Sequence, residues 1–318
     1  MLLGHDNAWR EWRAASASPR MHHGWILTGI EGIGKGQFAR AAAAELVAEP
    51  GVPQPPVDMH PDILIPEHPP ENKEEIKKRE NGDDYRRKRS IPIDEIRAMQ
   101  QRLTTRPTLG SRRVIIIDPA DDLEKGAINA LLKSLEEPPQ GTFFLLVTHR
   151  LGRLLPTIRS RCRVLRFSPL DTAALDTVLR AEAPEADVDS RAGAIAAAHG
   201  SPGAALRFIG ENLAPLHSAM QRILAEGDPN LTLRGALSDE IGARPSRERL
   251  AATLEMARAV LAAQLPQAER GQQARVITAN SALTKLAAQV PTYNFDPGLL
   301  ALEIGSLLAG AAASRDGT

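Results

Sequence analysis

Gly29-Ile30-Glu31-Gly32-Ile33-Gly34-Lys35-Gly36 decides the fold of this chain. The octet follows an apolar run, Trp25-Ile26-Leu27-Thr28, and opens a helical pattern over 35–48. Glycines at 29, 32 and 34 let a backbone curl so that its N–H groups surround phosphate. The start of the following helix adds partial positive charge, and Lys35 can reach the outer phosphates. A strand, a glycine loop and a helix in that order predict a nucleotide-type α/β domain.

Four more apolar runs extend that expectation: Ile63-Leu64-Ile65, Val114-Ile115-Ile116-Ile117, Phe143-Phe144-Leu145-Leu146-Val147 and Val164-Leu165-Arg166-Phe167. Helical patterns lie between them, and over 124–136 the residues Ile128, Leu131, Leu132 and Leu135 fall on one face. Strands alternating with helices imply a parallel five-stranded sheet covered on both sides. The stretch 49–92 interrupts the order, proline-rich at first and then dense in mixed charge from Glu71 to Arg89. Only its apolar piece around Ile63 looks structured; the charged part reads as a solvated loop or exposed helix. Contact of Arg86, Arg87, Lys88 and Arg89 with DNA or a partner is the less favoured reading. After Pro169 alanine- and leucine-rich helical patterns run to the end, broken at Gly200-Ser201-Pro202-Gly203 and Gly227-Asp228-Pro229-Asn230. The expected domains are 1–168 (the phosphate-loop domain, with the insert at 49–92), 169–210 (a small helical lid) and 211–318 (a larger helical domain).

Composition narrows the function. In 318 residues, Lys+Arg 39 and Asp+Glu 39 cancel, so no bulk charge drives binding to nucleic acid or membrane. Aromatic content of 3% also speaks against a stand-alone single-strand binder. The single cysteine, Cys162, excludes an internal disulfide and a multi-cysteine zinc site. The start of the chain lacks the apolar core of a signal peptide, and no run is long enough for a membrane helix. A cytoplasmic protein is expected.

The loop is defective in its chemistry. An active loop carries Ser or Thr at the eighth position to hold Mg²⁺, and here stands Gly36. Asp118 ends the strand Val114–Ile117 where a metal-coordinating acid belongs, but the next residue is Pro119, which cannot act as a base.

Asn129-Ala130-Leu131-Leu132-Lys133-Ser134-Leu135-Glu136-Glu137-Pro138-Pro139, followed by Thr157-Ile158-Arg159-Ser160-Arg161-Cys162, resembles the clamp-loader branch of the AAA+ ATPases. The nearest likeness is to the delta-prime subunits of bacterial DNA polymerase III. His22-His23-Gly24-Trp25, His60-Pro61-Asp62 and Ile93-Asp94-Glu95-Ile96-Arg97 add to it over about residues 4–210. Beyond that the resemblance rests on helical character and Phe295-Asp296-Pro297.

The resemblance implies an AAA+ domain with a helical lid and an all-α collar for oligomerisation. It implies a third defect, because active relatives keep a phosphate-sensing arginine where Gly203 stands. Thr148 and His149 lie where the family keeps a polar sensor. It also implies that Arg161 is an arginine finger, reaching ATP held by a neighbouring ATPase subunit. The expected site is therefore Arg161 in trans, with Gly29, Gly32, Gly34, Lys35 and Asp118 as a degenerate loop. No cofactor is required, weak ATP or ADP binding through Lys35 is left open, and no zinc is expected. Implied partners are gamma/tau ATPase subunits, the clamp-opening delta subunit, the beta sliding clamp, and primed DNA within the complex. No independent ATPase is expected, only membership of a DNA-polymerising holoenzyme. The alternative is an active gamma/tau-type ATPase subunit, against which Gly36, Pro119 and Gly203 all speak.

Overall fold

The computed structural model describes residues 4–290, 293 and 295–312. The chain divides into two compact units, Met1–Pro169 and Leu170–Thr318.

In the first unit the elements run α1 (Asp6–Ser16), β1 (Gly24–Thr28), α2 (Lys35–Val47), β2 (Ile63–Leu64), α3 (Lys73–Asn81), α4 (Ile93–Leu103), β3 (Arg113–Ile117), α5 (Lys125–Glu136), β4 (Thr142–Thr148), α6 (Pro156–Arg159) and β5 (Arg163–Arg166). The expected five-stranded sheet is present, wholly parallel, in the order β2-β3-β4-β1-β5. Every residue of β1 and β3 is buried, which is why these strands read as unbroken apolar runs rather than as alternations. On one face α4 and α5 pack through Ile96, Met99, Leu131 and Leu135. The predicted stripe on α5 is there, with Ile128 and Leu132 packed at its margin. α1 lays the buried Trp12 against Trp25 and Phe38.

The 49–92 stretch is more ordered than its composition suggested, and the expectation that only the piece around Ile63 is structured is corrected. Asn72 caps α3 by accepting from the Glu74 and Glu75 N–H groups, and Gly82 ends it at φ 80°. The buried Glu75 carboxylate pairs with Lys78 at 2.8 Å and accepts the Arg86 N–H at 2.6 Å. Arg87 pairs with Glu67 at 3.0 Å. The segment holds itself by polar bonds rather than by a hydrophobic face.

His60-Pro61-Asp62 has a structural role. Asp62 and Arg113 are 1% and 2% exposed and pair at 3.3 Å. Asp62 also accepts the Thr108 and Leu109 N–H groups, while Arg113 donates to the Arg102, Thr105 and Arg106 carbonyls. A buried charge is tolerated when it is paired and hydrogen-bonded in this way, here through both terminal nitrogens of Arg113, although its buried Nε has no partner.

The second unit is helical: α7 (Thr172–Glu182), α8 (Val188–Ala197), α9 (Pro202–Gly210), α10 (Ala214–Glu226), α11 (Thr232–Ile241), α12 (Arg247–Gln264), α13 (Arg270–Gln289) and α14 (Pro297–Gly310). Its core is continuous: Leu175, Leu179 and Phe208 from the 169–210 segment share one cluster with Leu216, Leu254 and Ile304. Side chains in the two sequence breakers, and Asp296 before α14, accept N–H groups at helix starts. Ser201 accepts the Ala204 N–H, Asp228 the Leu233 and Arg234 N–H groups, and Asp296 the Leu299 N–H. Among the described residues no helix is long and apolar enough to cross a membrane.

Candidate functional site: a closed phosphate loop and a displayed arginine

The loop from Gly29 to Gly36 turns at Gly32 and Gly34, whose φ values of 73° and 103° lie in the region that disfavours side chains. Gly29 is glycine for a different reason: a Cβ there would lie 2.6 Å from the Phe167 carbonyl oxygen, just beyond β5. From the start of the chain, His5 is buried and its Nε2–H donates to the Ile33 carbonyl at 2.7 Å. Nothing in the sequence pointed to that contact, because the partners are 28 residues apart.

Lys35 does not project outward. Its Nζ donates to the Gly29 and Ile30 carbonyls, at 2.7 Å each, and the residue is 3% exposed. Burial pulls its pKa down to about 8 against the opposing pull of Asp118, Glu31 and Asp121. Asp118 shifts the other way. Burial raises it above the usual carboxylate value, although Arg40, His149, Lys35 and His68 all favour its charge.

The decisive feature is at Gly36. A Cβ built there would lie 2.2 Å from Asp118 Oδ2, so the carboxylate fills the space where a hydroxyl-bearing side chain would begin. These residues do not offer magnesium the hydroxyl it needs. The position usual for a water-activating carboxylate, directly after Asp118, also lacks one. Pro119 follows Asp118, and Asp121 is occupied by the Thr148 hydroxyl at 3.0 Å and the His149 N–H at 2.8 Å. Thr148, whose Oγ1 also accepts the Arg150 N–H, is thus part of a strand-end clasp. Gly36→Ser is expected to turn Asp118 aside with a stability change within about 1 kcal/mol, the added helix propensity offsetting the rotamer shift. Phosphate release by the purified variant with Mg²⁺ and ATP should stay at background; sustained turnover would show that the hydroxyl alone was missing.

Arg161 lies at the other end of the sheet. β1 and β5 run parallel from Trp25↔Arg163 to Thr28↔Arg166, so the Ser-Arg-Cys turn precedes the strands and the phosphate loop follows them. The intervening five-residue strand spans about 16 Å, more than an arginine side chain can cover. Arg161 therefore cannot serve its own loop.

Two motifs meet at this turn. Gly24 has no side chain because a Cβ would come 2.9 Å from both the Arg161 carbonyl oxygen and Cys162 Sγ. His23 Nε2 donates to the Leu135 carbonyl at 2.9 Å, fixing the end of α5 beside the same spot. The guanidinium donates from Nη1 to the Thr157 carbonyl at 2.9 Å, and Nη2 pairs with Glu136 at 2.7 Å. Its side chain remains 34% exposed. Cys162 is half-buried, and burial pushes its thiol up to about 12, away from the reactive thiolate form.

A protein-family model described as "DNA polymerase III, delta subunit" matches residues 4–171, more than half of the chain. The chain belongs to that family. Among curated relatives, the DNA polymerase III subunit delta' of Pseudomonas aeruginosa is 31% identical over 214 residues, 64% of this chain and 60% of the relative. The subunit delta' of Escherichia coli is 39% identical over 126 residues, 39% of this chain and 37% of the relative. The subunit tau of Escherichia coli is 30% identical over 154 residues, 48% of this chain and 22% of the relative. The matches thus span less than two thirds of these relatives' own length. The resemblance to DNA polymerase III subunits read from the Leu-Glu-Glu-Pro-Pro and Ser-Arg-Cys segments is borne out.

Proposed function

We propose that this chain is the non-hydrolysing, delta-prime-type subunit of a DNA polymerase III clamp loader, and that it lends Arg161 to ATP bound by a neighbouring ATPase subunit. The observation that carries this is the placement of Arg161 at the opposite end of the sheet from a loop blocked at Gly36. Arginine suits the task because it is always charged and its planar fork matches phosphate oxygens.

The proposed partners are gamma/tau-type ATPase subunits, a clamp-opening delta subunit, the beta sliding clamp and primed DNA as part of the complex, in the cytoplasm. No cofactor is needed by this subunit. With Lys35 committed to the Gly29 and Ile30 carbonyls, ATP or ADP would bind weakly at best. The 30% identity to a tau subunit favours a second reading, an active ATPase, but Gly36 and Pro119 oppose it. Co-purification with a gamma/tau-type subunit, followed by mass measurement, should give a defined complex, while the lone chain should release no phosphate above background. Robust Mg²⁺-dependent turnover by the lone chain would replace the first reading with the second.

A further inference from the structure

We propose that Glu136 is a positioning residue for Arg161: it aims the guanidinium across the subunit boundary. This rests on the function proposed above and adds a second residue to it. Glu136 is the last residue of α5, a helix anchored in the sheet core through Leu131 and Leu135. A carboxylate at a helix C-terminus is unfavourable for the helix itself, since that end already carries partial negative charge. Its placement calls for a cation, and Arg161 Nη2 stands 2.7 Å from Oε1.

The arginine is gripped from several sides. Its backbone is seated on Gly24, Nη1 is held by the Thr157 carbonyl, and Nη2 faces Glu136. A free arginine side chain carries large rotamer entropy, which would have to be lost on meeting phosphate. Here the loss is taken in advance on rigid supports, and the 34% exposure leaves part of the fork available to an anion. A latch that withholds Arg161 is the opposite reading, and the geometry disfavours it. With Glu136 itself 49% exposed, an ion pair of this kind restrains its partners only a few-fold, and a doubly charged phosphate would displace it.

The test uses the reconstituted loader with clamp and primed DNA. Glu136→Ala is expected to lower DNA-stimulated ATP turnover about five-fold with assembly and melting unchanged. Glu136→Gln keeps an acceptor for Nη2 and should recover at least half of the loss, a rescue that general destabilisation would not give. Glu137→Ala, one position on, should behave as the parent. In an Arg161→Ala background, Glu136→Ala should have no further effect. Unchanged or raised turnover in Glu136→Ala, or an equal loss in both backgrounds, would overturn the inference and leave the finger standing. Unchanged turnover in Arg161→Ala alone would sink both.

Discussion

Replacing Arg161 by Ala is expected to slow ATP hydrolysis at the adjoining subunit by about 10³-fold or more, the range over which arginine fingers act. The lone protein should barely notice. Arg161 is 34% exposed and its partner Glu136 49%, so the pair adds little to stability. Single-turnover hydrolysis by a reconstituted loader, carrying Arg161→Ala in this chain only, isolates the effect from the other sites. A loss confined to one site of the ring, with assembly intact by mass, is the signature. A lysine at 161 should recover little, because a point charge cannot make the two-pronged contact.

The second large effect is on stability. Asp62→Ala is expected to destabilise the first unit by about 3–5 kcal/mol, because it strands the 2%-exposed Arg113 without its anion. All three tryptophans, Trp9, Trp12 and Trp25, lie in that unit, so their fluorescence during urea unfolding follows it rather than the helical unit. The effect should depend on pH. Burial is the largest single influence on Asp62 and raises its pKa, but the Leu109 and Thr108 N–H groups and Arg113 together bring it below the ordinary 3.8. A carboxylate depressed on folding stabilises fully above its unfolded value and loses that contribution as pH falls through its folded value. Parent and variant should therefore converge in acid and differ most at neutral pH.

Much of this was legible in the chain itself. Strands buried on both faces, such as β1 and β3, write themselves as apolar runs, and the five apolar runs mapped onto the five strands of the expected sheet. The phosphate loop, Asp118 and Arg161 could each be singled out because their motifs are local. What escaped were relations between distant residues. α1 was missed although Trp9 and Trp12 lie one helical turn apart; for α3 the charged stretch left loop and exposed helix both open, and the cap at Asn72 with the buried Glu75 decides for helix. The Gly36 substitution was visible, but the Asp118 carboxylate filling the vacated space depends on the rotamer chosen once the fold is complete. The pairing of Glu136 with Arg161 joins two motifs that the sequence presents separately.

The thiol packed beneath the arginine turn has a practical corollary. Burial pushes the Cys162 thiol up to about 12, away from the thiolate that maleimide dyes attack, so an exposed cysteine would react ahead of it. It is also the sole sulfhydryl in the sequence. A fluorophore placed through one new surface cysteine would thus report from a single address, and would serve to watch assembly in the proposed complex.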